Sequence, residues 1–113
     1  MFVASGLNNV FTVMNGTDYY LHKAESYCAR AEHCAADVRR KLFEWGAPEE
    51  IYDEIEQNLY KNDFLNDERF CRAYVHDKLE YQHWGRLKIR AGLQALKLPE
   101  NFTRMALSEI DED

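Results

Sequence analysis

Phe64-Leu65-Asn66-Asp67-Glu68-Arg69-Phe70-Cys71-Arg72-Ala73-Tyr74-Val75 is the stretch that decides how this chain folds. Two apolar residues meet an Asn-Asp stop, and a new amphipathic run follows with Phe70, Tyr74 and Leu79 at helical spacing. One helix ends here and another begins, with Asn66 or Asp67 as the side-chain acceptor for the orphan amides of the new helix. What lies on either side of this joint settles the architecture.

Upstream, Tyr20, Ala24, Tyr27, Cys28 and Ala31 follow three- and four-residue steps, predicting a first helix from Thr17 to about Glu32. Val38, Leu42 and Trp45 predict a second from about Ala35 to Trp45, closed by Gly46 in a left-handed conformation. Pro48-Glu49-Glu50 opens a third, with proline in the first turn and two acids at the positive end of the helix dipole. Ile51, Ile55 and Leu59 form its apolar stripe, and it ends near Asn62-Asp63. Downstream the cycle restarts: a helix from Glu68 to about His83, a second carrying Ile89, Leu93 and Leu96, and a third opened by Pro99-Glu100 with Phe102, Ala106 and Ile110.

The two halves align at a constant offset. Val38 meets Ile89, Arg39 meets Arg90, Leu42 meets Leu93, Trp45 meets Leu96, Pro48-Glu49 meets Pro99-Glu100 and Ile51 meets Phe102. Asn15 likewise meets Asn66, and Tyr19 meets Phe70. Core, cap and helix-start positions stay in register, so the chain reads as two copies of a three-helix unit. The expected fold is all-α, an elongated and curved helical array. Residues 17–65 form the first repeat and 66–113 the second, after a poorly ordered tail over 1–16. In this register Gly85 stands at Cys34 and is the better N-cap. Lys97 stands at Gly46, which predicts a more open or 3₁₀-like turn at Lys97-Leu98 in the second copy. Phe64, Leu65, Phe70 and Tyr74 are the residues expected to pack the repeats together.

Bulk properties agree with a helical domain. With 46% apolar and 13% aromatic residues the chain has material for a core, while 5 Gly and 2 Pro are too few turns for an all-β protein. The net charge of −6 argues against a nonspecific nucleic-acid binder. That charge is sorted, however. Glu49, Glu50, Asp53, Glu54, Glu56, Asp63, Asp67 and Glu68 stand against Lys61 alone. Arg69, Arg72, Lys78, Arg86, Lys88, Arg90 and Lys97 then stand against Asp77 and Glu80. A surface sorted this way suits a charge-patterned partner, and ordinary solvated helix faces are the alternative.

Chemistry-bearing constellations are absent. There is no glycine-rich phosphate loop, no Ser-His-Asp ordering and no HExxH, so neither enzyme nor cofactor is called for. Cys28, Cys34 and Cys71 show no CxxC spacing, and with His22, His33, His76 and His83 they do not make a metal site. Unpaired cysteines of this kind fit a reducing, cytoplasmic setting. Glu50, Asp53 and Glu54 read as a solvated helix face, Cys71 as a small buried hydrophobe, and Tyr74 and Trp84 as core. Met1 to Asn15 carries no Lys or Arg and is too short to span a bilayer, so no membrane segment is expected.

The basic residues are the better lead. Arg39, Arg40 and Lys41 are consecutive, and Arg86, Lys88 and Arg90 follow a related pattern in the second copy. With Arg69 and Arg72 they form the candidate binding face. Guanidinium groups repeated at a structural period suit a partner with its own repeat, such as a filament or a nucleic-acid backbone.

Three runs of residues also resemble the RecX family: Ser26-Tyr27-Cys28-Ala29-Arg30-Ala31-Glu32-His33-Cys34, Val38-Arg39-Arg40-Lys41-Leu42-Phe43-Glu44-Trp45-Gly46, and the joint itself. The joint is similar to that family's most specific pattern, with Cys71 in place of a small alanine, and Gly85, Ile89-Arg90 and Leu93 resemble a further family segment. The resemblance covers residues 17–113. It implies tandem three-helix repeats, usually three, and a bacterial, non-enzymatic protein of DNA repair and the SOS response. Such proteins bind in the groove of the RecA–DNA filament and typically restrain its ATPase, strand-exchange and coprotease activities, and some bind single- or double-stranded DNA directly. No family-wide contact set transfers by motif, so the basic face above rests on charge alone. The expected partner is the RecA filament, with the chain itself a monomer. Alternatives are a helix-turn-helix DNA-binding module, which the acids on the third helix disfavour, and a cysteine-based redox or metal protein.

Overall fold

The computed structural model describes residues 14–110, and the joint explains how they are arranged. Asn66 is the cap: its backbone is extended and its side-chain oxygen accepts from the amide of Arg69 at 2.9 Å. Asp67 is already the first helical residue, where its carboxylate favours the dipole. The helix before the joint stops because Asp63 turns left-handed (φ 64°), so that the Asp63 amide donates to Tyr60 at 3.1 Å and the Phe64 amide to Leu59 at 2.8 Å. These two bonds satisfy the carbonyls that the helix leaves over.

All regular structure among the described residues is helical. A short π-helical turn, Met14–Asp18, kinks at Gly16 and leads into α1 (Tyr19–Arg30). Next come α2 (Ala35–Glu44), a 3₁₀ turn (Glu49–Ile51) and α3 (Tyr52–Lys61). Past the joint lie α4 (Asp67–Glu80), α5 (Arg86–Ala95) and α6 (Glu100–Ser108). Each expected helix is present, with ends shifted by a few residues. Thus α1 starts at Tyr19, and α4 stops at Glu80 because His83 adopts φ 58° and releases Trp84 from the helix. Of the expected tail over 1–16, residues 1–13 lie outside the described structure, and 14–16 belong to the helical turn. No helix among the described residues is long and apolar enough to cross a membrane.

Two compact units divide the chain. The first holds residues up to Ala31 together with Asp37–Phe64. Its core is Ala24, Cys28, Val38, Leu42, Ile55 and Leu59, all buried. The second holds Glu32–Ala36 and the residues from Leu65 onward, so the short segment before α2 belongs to the later unit. Cys34 accordingly lies in the second core with Phe70, Cys71, Val75, Ile89, Leu93, Leu98, Ala106 and Leu107. Burial respects the offset: Ala24 and Val75, Val38 and Ile89, Leu42 and Leu93, and Ile55 and Ala106 are buried pairs.

One expectation is corrected. The turn at Lys97-Leu98 is neither more open nor more 3₁₀-like than its counterpart. The amides of Gly46 and Ala47 donate to Phe43 and Leu42 at 3.0 and 2.9 Å, and those of Lys97 and Leu98 to Gln94 and Leu93 at 2.9 and 3.1 Å. Lys97 reaches this geometry at φ 65°, where Gly46 sits at 82°. The buried Leu98 (8% exposed) explains why: returning it to the core demands the tight turn, and packing overrides the left-handed penalty of a β-carbon. Lys97→Gly is therefore expected to stabilise the second unit by about 0.5–1 kcal/mol, the relieved strain less the added chain entropy of glycine. Chemical denaturation of the two chains checks this.

Candidate protein-binding surface

Arginine on an open helix face is available to a partner only to the extent that the fold does not already hold it. Arg39 on α2 reaches α3, donating from Nε to Glu56 at 2.6 Å and from a terminal nitrogen to Asp53 at 2.5 Å. Those carboxylates, Asp53 first and then Glu56, raise the guanidinium above its ordinary pKa. Arg90, the counterpart of Arg39, does the same work in the second unit, pairing with Glu100 of α6 at 2.5 Å. The repeated guanidinium thus has an internal purpose: in each copy it ties the second helix to the third.

The other nominated cations are held locally as well. Arg40 pairs with Asp37 at 3.3 Å and Glu44 at 3.6 Å along α2, while Lys41 pairs with Glu44 at 3.5 Å and lies 5.5 Å from the centre of the Tyr27 ring. Arg69 meets Glu32 at 2.5 Å inside the second unit. Arg86 donates to the Leu107 carbonyl at 3.1 Å, satisfying the C-terminal end of α6. Lys88 differs: it makes no ion pair among the described residues, and its ammonium stands 4.3 Å from the centre of the Trp84 ring.

Arg72 forms the most elaborate of these pairs. It donates twice to Glu109 from Nε at 3.0 Å and once from a terminal nitrogen at 2.8 Å, and it meets Glu68 at 2.9 Å. The guanidinium holds the Glu109 carboxyl below the usual carboxylate range. A carboxyl whose folded pKa is depressed stabilises the fold above its unfolded pKa and loses that contribution as pH falls through the folded value. Arg72→Met is expected to return the Glu109 titration to the ordinary glutamate range, read by NMR of its side-chain carboxyl. The stability change is small, because both partners are open to solvent.

The pair also forms one rim of an open groove of about 550 Å³ between α4 and α6. Ala73, Val75, Leu79, Ala106 and Ile110 make it apolar, and His76 and Glu80 complete the rim.

The nominated packing residues fall on both sides of the unit division. Phe64 is half-buried at the end of the first unit, and Leu65 is buried at the start of the second. Phe70 and Tyr74 pack on the core of the second unit, where their ring centres lie 5.7 Å apart. Tyr74 also meets Trp84 edge-on at 6.5 Å, so both aromatics take the core role read from the sequence, although each keeps part of its surface in water. Lys78 lies over both rings, at 5.2 and 4.8 Å. In the first unit Lys23 and Tyr27 make the equivalent arrangement with Trp45, with the positions of lysine and tyrosine exchanged. Cys71 is fully buried, and burial pushes its thiol pKa up. No group of three metal-ligating side chains assembles among the described residues.

Sequence reasoning missed one exposed feature, Leu87, which is 85% exposed on the first turn of α5. Its adjacency to the buried Ile89 disguises it, because hydropathy alone does not show which of the two faces inward.

Comparison with known proteins now adds to this geometry. The model of the RecX second three-helix domain matches residues 66–107, the helices of the second unit. The Regulatory protein RecX of Geobacillus kaustophilus (strain HTA426) is 34% identical over 85 residues, which is 74% of this chain. This chain belongs to the RecX family. It spans 30% of the length of that RecX relative. No solved structure matches it. The RecX match makes α4, α5 and α6 a recognised three-helix domain, bounded at its start by the Asn66 cap. A RecX protein is a regulatory protein, so the surfaces that matter are those offered to another molecule.

Proposed function

We propose that this chain binds the RecA–DNA filament and restrains the ATPase, strand-exchange and coprotease activities of RecA. Its membership of a family of regulatory proteins carries this reading, through the joint at Phe64–Val75 and the domain match that begins within it. The helical units are scaffolds that display side chains, and their internal ion pairs hold the displayed faces at fixed angles. The chain supplies two of the three repeats usual in the family, which lowers its contact area and its affinity for a filament. It acts as a monomer in the bacterial cytoplasm, where its three free buried cysteines stay reduced.

Independent DNA binding is the weaker reading. The candidate recognition segment, 49–61, presents exposed Glu49, Glu50, Asp53 and Glu54, which a phosphate-lined groove repels. The test is ATP hydrolysis by RecA on single-stranded DNA as the chain is added at micromolar concentration. Hydrolysis is expected to fall with dose. A rate that stays constant, with no chain sedimenting with the filament, overturns the reading.

A further inference from the structure

The first turns of α2 and α5 occupy the same place in their units and are built in opposite ways. Helix α2 opens on Ala35-Ala36-Asp37, and α5 on Arg86-Leu87-Lys88. Both helices have ten residues, and both bury two aliphatic side chains, Val38 and Leu42 in one and Ile89 and Leu93 in the other. Small residues and a carboxylate at the positive end of the dipole are what the fold needs there. The second copy departs from this at every position. Its first turn has no acidic residue, Gly85 gives no side-chain cap, and a large apolar side chain stands in water.

Arg86 has an internal reason, since it holds the end of α6. Leu87 and Lys88 have none of that weight. Neither helps the core, and a cation in the first turn opposes the dipole. Local rules broken without an internal gain mark positions that serve something outside the fold. An exposed apolar residue with cations beside it marks an interaction surface.

We propose that Leu87 is the apolar knob of a protein-docking surface on the second unit. It enters an apolar socket on the partner whose rim carries carboxylates, and these meet Lys88. Charge complementarity sets the sign of that rim, because Lys88 lacks a carboxylate of its own among the described residues, while Arg86 and Arg90 already have acceptors. A nucleic-acid backbone fits less well. It recruits several free cations and gains little from a leucine, whereas an apolar centre with a polar rim is how protein interfaces are built. The inference rests on the proposed filament binding and names the chemistry of one contact in it.

The test compares the full chain with Leu87→Ala and Lys88→Glu. Affinity is measured by fluorescence anisotropy against RecA filaments assembled on single-stranded DNA with a non-hydrolysable ATP analogue, and against the same DNA without RecA. Each variant is expected to weaken filament binding by about tenfold or more, as for a truncated central contact. Both should melt no lower than the parent, and Lys88→Glu slightly higher because it restores an acid to the first turn. A role in folding predicts the reverse on both readouts. Filament affinity within about twofold of the parent for Leu87→Ala overturns the docking surface while leaving filament binding intact. Equal binding of bare DNA and filament, weakened by Lys88→Glu but untouched by Leu87→Ala, overturns it in favour of a phosphate contact. A parent chain that binds no filament overturns both this inference and the reading beneath it.

Discussion

Phe70→Ala is expected to destabilise the second unit by about 3–5 kcal/mol, the range for truncating a buried aromatic. Phe70 is 6% exposed and sits in one core with Cys71, Val75, Ile89, Leu93 and Cys34. It is four residues beyond the Asn66 cap, and its amide is the first to close an α-helical bond, donating to Asn66 at 2.9 Å. The substitution therefore removes packing at the point where α4 starts. A three-helix unit of this size has only a few kcal/mol in total, so a loss of this order unfolds it at room temperature. Circular dichroism through a urea titration reads this as loss of a large part of the helical signal before denaturant is added. A shift below about 1 kcal/mol would show that Phe70 is not a core residue.

Gly92→Ala comes next, and there propensity and packing disagree. Replacing a mid-helix glycine with alanine ordinarily stabilises by about 1 kcal/mol. In α5 a β-carbon at Gly92 would collide with the Tyr74 hydroxyl oxygen and lie 3.1 Å from the ring carbon that bears it. Tyr74 cannot withdraw freely, since it is also packed against Phe70 and Trp84. Overpacking of this kind costs about 1–3 kcal/mol, so the net change is expected to be destabilising despite the gain in propensity. Tyr74→Phe removes the colliding oxygen, and the pair Gly92→Ala with Tyr74→Phe is expected to recover most of the loss. A double-mutant cycle in urea measures this coupling. Additive effects would show that the two residues do not meet.

These positions show what a linear reading captures and what it misses. Helix count, the offset between copies and the core pairs Val38/Ile89 and Leu42/Leu93 were legible because apolar spacing and the Pro-Glu helix starts are local signals. The close approach of Tyr74 to Gly92 was not, for the first copy has Lys41 at the glycine's place and offers no hint of a close contact. Lys97 misled for a related reason. Its residue type argues against a left-handed turn, and only the buried Leu98 beyond it reveals that the turn is obligatory. Charge was the least legible property. Arg39 and Arg90 stand on matching faces, yet the carboxylates that hold Arg39 lie 14 and 17 residues downstream on another helix. A cation's position in a repeat says where it sits and nothing about whether it is already engaged. Lys88 became distinctive only after the others had been assigned to their partners.

Co-sedimentation of the intact chain with RecA tests the central claim most directly. Three mixtures are spun side by side: RecA on single-stranded DNA with a non-hydrolysable ATP analogue, the DNA alone, and RecA alone. The account predicts saturable recovery of the chain with the filament and little with either component. Recovery with bare DNA equal to that with the filament, or none in any mixture, would contradict it.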